Sequence, residues 1–205
     1  MSRTDFDALV CFAQSLAPVK VRGQDLPRLW FFTDRARIGD PAAVARRLPP
    51  GSGVVLRDYG APNRDALARE MAAVAADGGL IFVVGEDADL ARTVGAAGVH
   101  LPERSLARLK SIRAGWPKAL LTTSAHSREA LLQARRVGAD AAFISPIFST
   151  ASHPGASALG ADKLKTLLDR APLPVIALGG IAGKTVGALT GLPLAGIAAI
   201  GALSP

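Results

Sequence analysis

A short (β/α)8 barrel is the fold this sequence predicts, on three observations. Eight short apolar or β-branched runs recur along the chain, helical patterns separate them, and within the runs apolar residues follow one another almost without alternation. Strand–helix alternation requires parallel strands joined by crossover helices. Near-continuous apolar character is what a parallel strand needs when both of its faces are buried. An open doubly wound sheet is the competing architecture. It requires a reversal in strand order, and these units recur without a signal for one.

The runs are Leu29–Asp34, Gly53–Arg57, Leu80–Gly85, Gly98–Leu101, Ala119–Ser124, Ala141–Phe148, Pro174–Gly180 and Gly196–Ala202. Between them Leu67, Met71 and Val74 mark one helix, and Leu106, Leu109, Lys110 and Arg113 another. Ala130, Leu131, Ala134 and Val137 mark a third, and Leu164, Leu167 and Leu168 a fourth. Residues 1–27 read as an N-terminal helical extension and 28–205 as the barrel. In the extension Phe6, Leu9, Val10, Ala13 and Leu16 fall near one helical face, Thr4 is placed to cap it, and Pro18 ends it. The preferred reading is a helix that plugs the bottom of the barrel. The others are a dimer contact or a substitute for a closing helix. The sequence stops at Pro205, just after the eighth run, which leaves little or no final helix.

With 205 residues, 49% hydrophobic and 20% charged, the chain is sized for one domain and is too apolar to be disordered. Its single cysteine, Cys11, excludes an intramolecular disulfide and a multi-cysteine zinc site, and its place in the leading helix reads as buried and inert. Asp5, Asp7, Gln14 and Ser15 interrupt the apolar start, so the chain reads as cytoplasmic, with no secretory signal and no membrane span. The formal charge of +7 suits an anionic ligand. The basic residues are dispersed, with only pairs at Arg46–Arg47 and Arg135–Arg136, which argues for small phosphates and against nucleic acid.

In a barrel the chemistry sits at the C-terminal ends of the strands. There the pair Gly179–Gly180 and the segment Ile200–Gly201 follow the seventh and eighth runs. Glycines at such turns let backbone N–H groups approach phosphate oxygens, and loops seven and eight are where barrels bind phosphate. The segment from Ser145 to Pro154, rich in hydroxyls, is long enough for a substrate lid, and its hydroxyls with His153 are suited to gripping a pyrophosphate. Arg57 ends the second run and should face the mouth, either to bind an anion or to pair with Asp58 or Glu86. His100, between Val99 and Leu101, reads as a core histidine. His126 and His153 lie in loops and are more available.

At these residues the chain resembles the thiamine-phosphate synthase and TenI family of phosphate-binding barrels. Val55-Leu56-Arg57 is similar to the family's Q-L-R-x-K, Gly98-Val99-His100-Leu101 to G-V-H-L-G-Q, and Ser124-Ala125-His126-Ser127 to S-x-H-S. Gly138-Ala139-Asp140 is similar to G-A-D-Y, Ser145-Pro146-Ile147-Phe148-Ser149-Thr150 to G-P-x-F-x-T-x-T-K, and Ala177-Leu178-Gly179-Gly180-Ile181 to A-I-G-G-I. The family's synthase joins hydroxymethylpyrimidine pyrophosphate to thiazole phosphate and releases pyrophosphate. The resemblance implies that Arg57 holds the pyrophosphate side and that Ser124 and Thr150 bond the phosphates. It gives the thiazole phosphate to Gly179, Gly180, Ile200 and Gly201, and Mg²⁺ to Glu86. A homo-oligomer is a further expectation it carries.

The chain departs from the family's pattern where pyrophosphate and metal are handled. Val55 stands for the Gln, Tyr59 for the Lys, Gly85-Glu86 for the N-D pair, Ser105 for the second metal-binding Asp and His153 for the loop Lys. TenI-type tautomerases place an acid–base histidine where this chain has Pro146. A divergent synthase is the first expectation. The alternatives are a tautomerase using His126 or His153, and a non-catalytic binder of thiazole or thiamine phosphate.

Overall fold

A computed structural model describes residues 4–150 and 158–204. The chain opens with helix α1 (Asp5–Ser15), capped by the Thr4 hydroxyl, and a hairpin of β1 (Lys20–Val21) and β2 (Gln24–Asp25). The barrel strands are β3 (Leu29–Phe32), β4 (Gly53–Leu56), β5 (Ile81–Gly85), β6 (Gly98–Leu101), β7 (Leu120–Ala125), β8 (Ala141–Ile144), β9 (Val175–Leu178) and β10 (Gly196–Ala199). All their pairings are parallel, and β10 returns to β3 to close the barrel. Each strand lies within the run that predicts it except β7, which continues one residue past its run, to Ala125. The runs that hold β3, β4, β8, β9 and β10 overreach at their C-terminal ends, where the chain leaves the sheet to form the mouth.

The crossover helices are α2 (Arg35–Ile38), α3 (Pro41–Ala45), α4 (Arg64–Gly78), α5 (Ala88–Thr93), α6 (Arg108–Gly115), α7 (Arg128–Arg136), α8 (Gly160–Leu168) and α9 (Gly183–Val186). Their start signals are local. The side chains of Asp40, Asp87 and Ser127 accept hydrogen bonds from the N–H groups of Ala43, Leu90 and Ala130, satisfying donors that a first turn leaves open. In α4, Leu67, Ala68, Met71, Val74 and Ala75 are buried, the three-and-four spacing of one apolar stripe.

Strand side chains alternate between two cores. Phe31, Val54, Leu56, Val84, Leu101 and Leu121 face outward under the helices. Trp30, Phe32, Val55, Val83, Phe143 and Ile176 fill the barrel. Inside, the rings of Trp30 and Phe32 meet Phe143 edge to face at 5.3 and 4.9 Å. Gly53 is required beside them, because a Cβ there would lie 2.2 Å from the Trp30 ring.

Two expectations are corrected. The leading helix does not plug the barrel. It packs against α9 and the outer sides of β10 and β3, buries Leu9 and Ala13, and completes the helix ring beside the last strand. The large side chains of Trp30 and Phe143 already occupy the interior. The hairpin closes the bottom instead, with Val19, Val21 and Leu26 packed on the barrel's inner core. Cys11, read as buried, is exposed, because it lies on the face of α1 turned away from Leu9 and Ala13. No helix among the described residues is long and apolar enough to cross a membrane.

Candidate active site

The short strands end in polar residues at one rim, and these surround a cavity of about 970 Å³ at the C-terminal mouth. Arg57, Ser124, His126, Thr150, Gly179, Gly180, Ile200 and Gly201 all line it. His153 lies outside the described residues, and Glu86 is not part of the lining.

Arg57 follows β4, where its backbone N–H donates to Thr33 Oγ1 at 2.9 Å. Its guanidinium pairs with the carboxylate of Asp34, not with Asp58 or Glu86. Asp58 instead accepts from the Arg35 N–H at 2.8 Å, and Arg37 joins Asp34 at 3.2 Å. One carboxylate at the rim thus orients two guanidinium groups that both line the cavity.

His100 and Ser124 form part of the cavity floor. His100 is buried, as its apolar neighbours predict, yet it also reaches the site. Its ring nitrogens meet Thr122 Oγ1 at 3.1 Å and Ser124 Oγ at 3.2 Å. The edges of Phe32 and Phe143 pack around it. Burial pushes its pKa down to about 3, so the imidazole is neutral. Above it, His126 Nδ1 donates to the Ser145 carbonyl at 2.6 Å, and its backbone N–H donates to Glu103 at 2.9 Å. With the Nδ1 proton held by a carbonyl, the lone pair of the neutral ring is on Nε2.

The opposite wall is backbone. Gly179 and Gly180 have φ of 94° and 68°, the left-handed region that favours glycine. A Cβ on Gly180 would lie 2.6 Å from the Ser149 carbonyl oxygen, and one on Gly179 would lie 2.8 Å from Pro146 Cα. The chain after β8 lies directly on this turn: Ile147 and Phe148 N–H donate to Leu178 and Gly179 carbonyls, both at 3.0 Å. Thr185 Oγ1 donates to the Gly180 carbonyl at 2.8 Å and fixes the turn from the helix side. Lys184 adds a cation beside it.

The donor set does not fit Mg²⁺. Magnesium is held by carboxylate and water oxygens in octahedral array. Glu86 Oε2 is already 2.7 Å from Arg104 Nη2, and Oε1 accepts from Ser105 Oγ at 3.1 Å. Asp87 caps α5, and Glu103 holds the His126 N–H. Among the described residues no cluster of three His, Cys, Asp or Glu is arranged for a metal ion.

Arg37, Arg104, Lys184 and Asp5 also line the cavity, outside the motifs that the sequence marks. Lys184 alone had a readable signal, standing four residues after the glycine pair at the start of a helix. Tyr59 also lines the mouth, with its hydroxyl end against Gly85. Desolvation there, and then the negative Glu86, raise its phenol pKa and keep it neutral.

A putative thiamine-phosphate synthase 2 of Aquifex aeolicus is 36% identical over 167 residues, covering 79% of this chain and 89% of that protein. A thiamine-phosphate synthase of Methanoculleus marisnigri is 34% identical over 157 residues, covering 75% and 74%. Among solved structures, a thiamine phosphate pyrophosphorylase from Pyrococcus furiosus superposes with a TM-score of 0.72 at 23% identity over 85% of each chain, a likeness of fold. The family model for thiamine monophosphate synthase matches residues 29–203, from the first barrel strand to the turn after the last. With that match spanning the whole barrel and its mouth, the chain belongs to the thiamine monophosphate synthase family.

Proposed function

We propose that the chain is a thiamine-phosphate synthase-type transferase joining hydroxymethylpyrimidine pyrophosphate to thiazole phosphate. The observation that carries this reading is the single cavity shared by Arg57 and Ser124 on one side and the Gly179–Gly180 turn on the other. Two phosphorylated substrates would meet there with their anionic ends apart and their rings together. Both are soluble phosphates, which fits a cytoplasmic enzyme.

In this reading the C–O bond of the pyrimidine methylene breaks and pyrophosphate leaves with the electron pair. The thiazole nitrogen then gives its lone pair to the methylene carbon and becomes a thiazolium. No proton transfer to carbon is required and no protein nucleophile takes part. The chain's work is placement and charge. Arg57, oriented by Asp34, balances the growing charge on the leaving pyrophosphate, and the Ser124 and Thr150 hydroxyls bond its oxygens. The glycine turn, Ile200–Gly201 and Lys184 hold the thiazole phosphate.

The test mixes the purified chain with both substrates, with and without Mg²⁺, and detects thiamine phosphate as its fluorescent oxidation product. Arg57→Ala should lower turnover by roughly 10²-fold, the scale for losing one preorganised charge donor. No product from folded protein would sink the synthase reading.

One observation favours a second reading, thiazole-phosphate tautomerisation. The His126 hydrogen bond to Ser145 leaves Nε2 as a base at the cavity. Metal-independent exchange of the thiazole-ring proton, lost in His126→Ala and kept in Arg57→Ala, would establish it.

A further inference from the structure

We propose that Arg104 is a resident cation that takes the place of a divalent metal at the cavity mouth, so that this chain binds a diphosphate without Mg²⁺. The inference rests on the reading above, in which a diphosphate occupies the Arg57 side. Arg104 Nη2 lies 2.7 Å from Glu86 Oε2. The Arg104 side chain is 69% exposed and lines the cavity, whereas that of Glu86 is 23% exposed and does not. The guanidinium therefore stands between the carboxylate and the ligand space, the position a bridging cation would hold.

The local structure is built to keep it there. Glu86 has φ 60°, a conformation unusual for a residue with a side chain. It is held by its N–H donating to the His100 carbonyl at 2.9 Å and its carbonyl accepting from Arg108 Nη2 at 3.0 Å. Ser105 Oγ donates to the remaining carboxylate oxygen at 3.1 Å. Glu86 thus has its charge neutralised and its oxygens filled, which leaves it a poor metal ligand and a good anchor. An exposed ion pair adds little to stability, so a purely structural role accounts poorly for this arrangement. A guanidinium carries five N–H donors in one plane, matched to phosphate oxygens, and the pair with Glu86 engages one nitrogen. Arg57, which lines the same cavity, supplies a second such fork.

The experiment is calorimetric titration of the full chain with inorganic pyrophosphate, once in EDTA and once in Mg²⁺, alongside thiazole phosphate as a separate ligand. Native protein should bind pyrophosphate equally in both buffers. Arg104→Ala should weaken pyrophosphate at least about tenfold, as expected for a charge-assisted bond. Arg104→Lys should lose part of this, keeping charge without the fork. Thiazole phosphate binding should be unchanged in both variants, which also shows that they fold. In the double variant Arg104→Ala, Ser105→Asp, two carboxylates stand side by side without the guanidinium, and Mn²⁺ titrated alone should bind there but not to native protein. Pyrophosphate binding that requires Mg²⁺, or that survives Arg104→Ala undiminished, overturns the inference. If thiazole phosphate binds and pyrophosphate does not, the inference fails while the phosphate cradle stands. If neither binds, both this inference and the proposed function fall.

Discussion

The carboxylate of Asp5, near the N-terminus of α1, accepts a hydrogen bond from the backbone N–H of Gly183 at 2.9 Å, across 178 positions of sequence. This bond ties the leading helix to the turn after β9 that forms the glycine wall of the site. It also places a negative charge on the lining of the cavity proposed to hold phosphates. Asp5→Ala should therefore have two opposite effects. Stability should fall by about 1 kcal/mol or less, because the bond is exposed. Affinity for phosphate ligands should rise, because a like charge leaves the wall. Thermal melting and phosphate titration check the two together. A loss of both stability and affinity would mean that Asp5 positions the turn more than it repels the ligand.

Gly180→Ala tests the backbone cradle. The added methyl would meet the carbonyl oxygens of Ser149 and Phe148 at 2.6 and 2.7 Å, in a conformation that alanine disfavours. The expected cost is about 1–3 kcal/mol of strain, relieved by pushing the chain after β8 away from the turn. Thiazole phosphate binding should be lost, while pyrophosphate binding at the Arg57 side should be retained. Unchanged thiazole phosphate affinity would place that phosphate elsewhere.

Asp140 gives the Gly138-Ala139-Asp140 motif a structural role. Its carboxylate accepts from Arg113 Nη2 and Arg22 Nε, both at 2.7 Å, and from the Leu121 N–H at 2.8 Å. It thereby locks α6 and the bottom hairpin to the start of β8. Asp140→Ala leaves two guanidinium groups and a backbone donor without this acceptor. It should cost roughly 2–4 kcal/mol, because the carboxylate is largely buried. Pyrophosphate affinity should not change, since the cluster is at the opposite end of the barrel from the mouth. Denaturant unfolding and calorimetry separate these effects.

Acid should act on His100. Its folded pKa of about 3 lies below the ordinary 6.5. Unfolded chains take up a proton as pH falls through 6.5, whereas the folded protein does not until about 3. The neutral form's contribution is complete above the higher value and is lost progressively on the way down. Its size is about 5 kcal/mol at most. His100→Gln, which cannot titrate, should flatten the fall of melting temperature across that window. Parallel curves for native and variant protein would refute a buried neutral imidazole as the source.

The barrel was legible because its signals are local. Each run of residues such as Gly53–Leu56 or Ala141–Ile144 is apolar on both faces, and helices begin at Asp87 and Ser127 through bonds to residues three positions on. The glycine pair was legible because only a backbone without Cβ suits that turn. The position of the leading helix is not legible, because an apolar stripe states that a face is buried and not against what. The hairpin of β1 and β2 is not legible either, because two-residue strands carry no readable period.

From the residues alone came the eight-stranded parallel architecture, the end of the barrel that carries chemistry, and the family's run of motifs. Only the tertiary structure decided the partners of the charged side chains: Arg57 with Asp34, Arg104 with Glu86, and Asp5 with the Gly183 N–H. The physical reason is range. Strand and helix formation depends on neighbours a few residues apart, whereas a salt bridge depends on separations in space, and closing the barrel sets those for residues far apart in sequence.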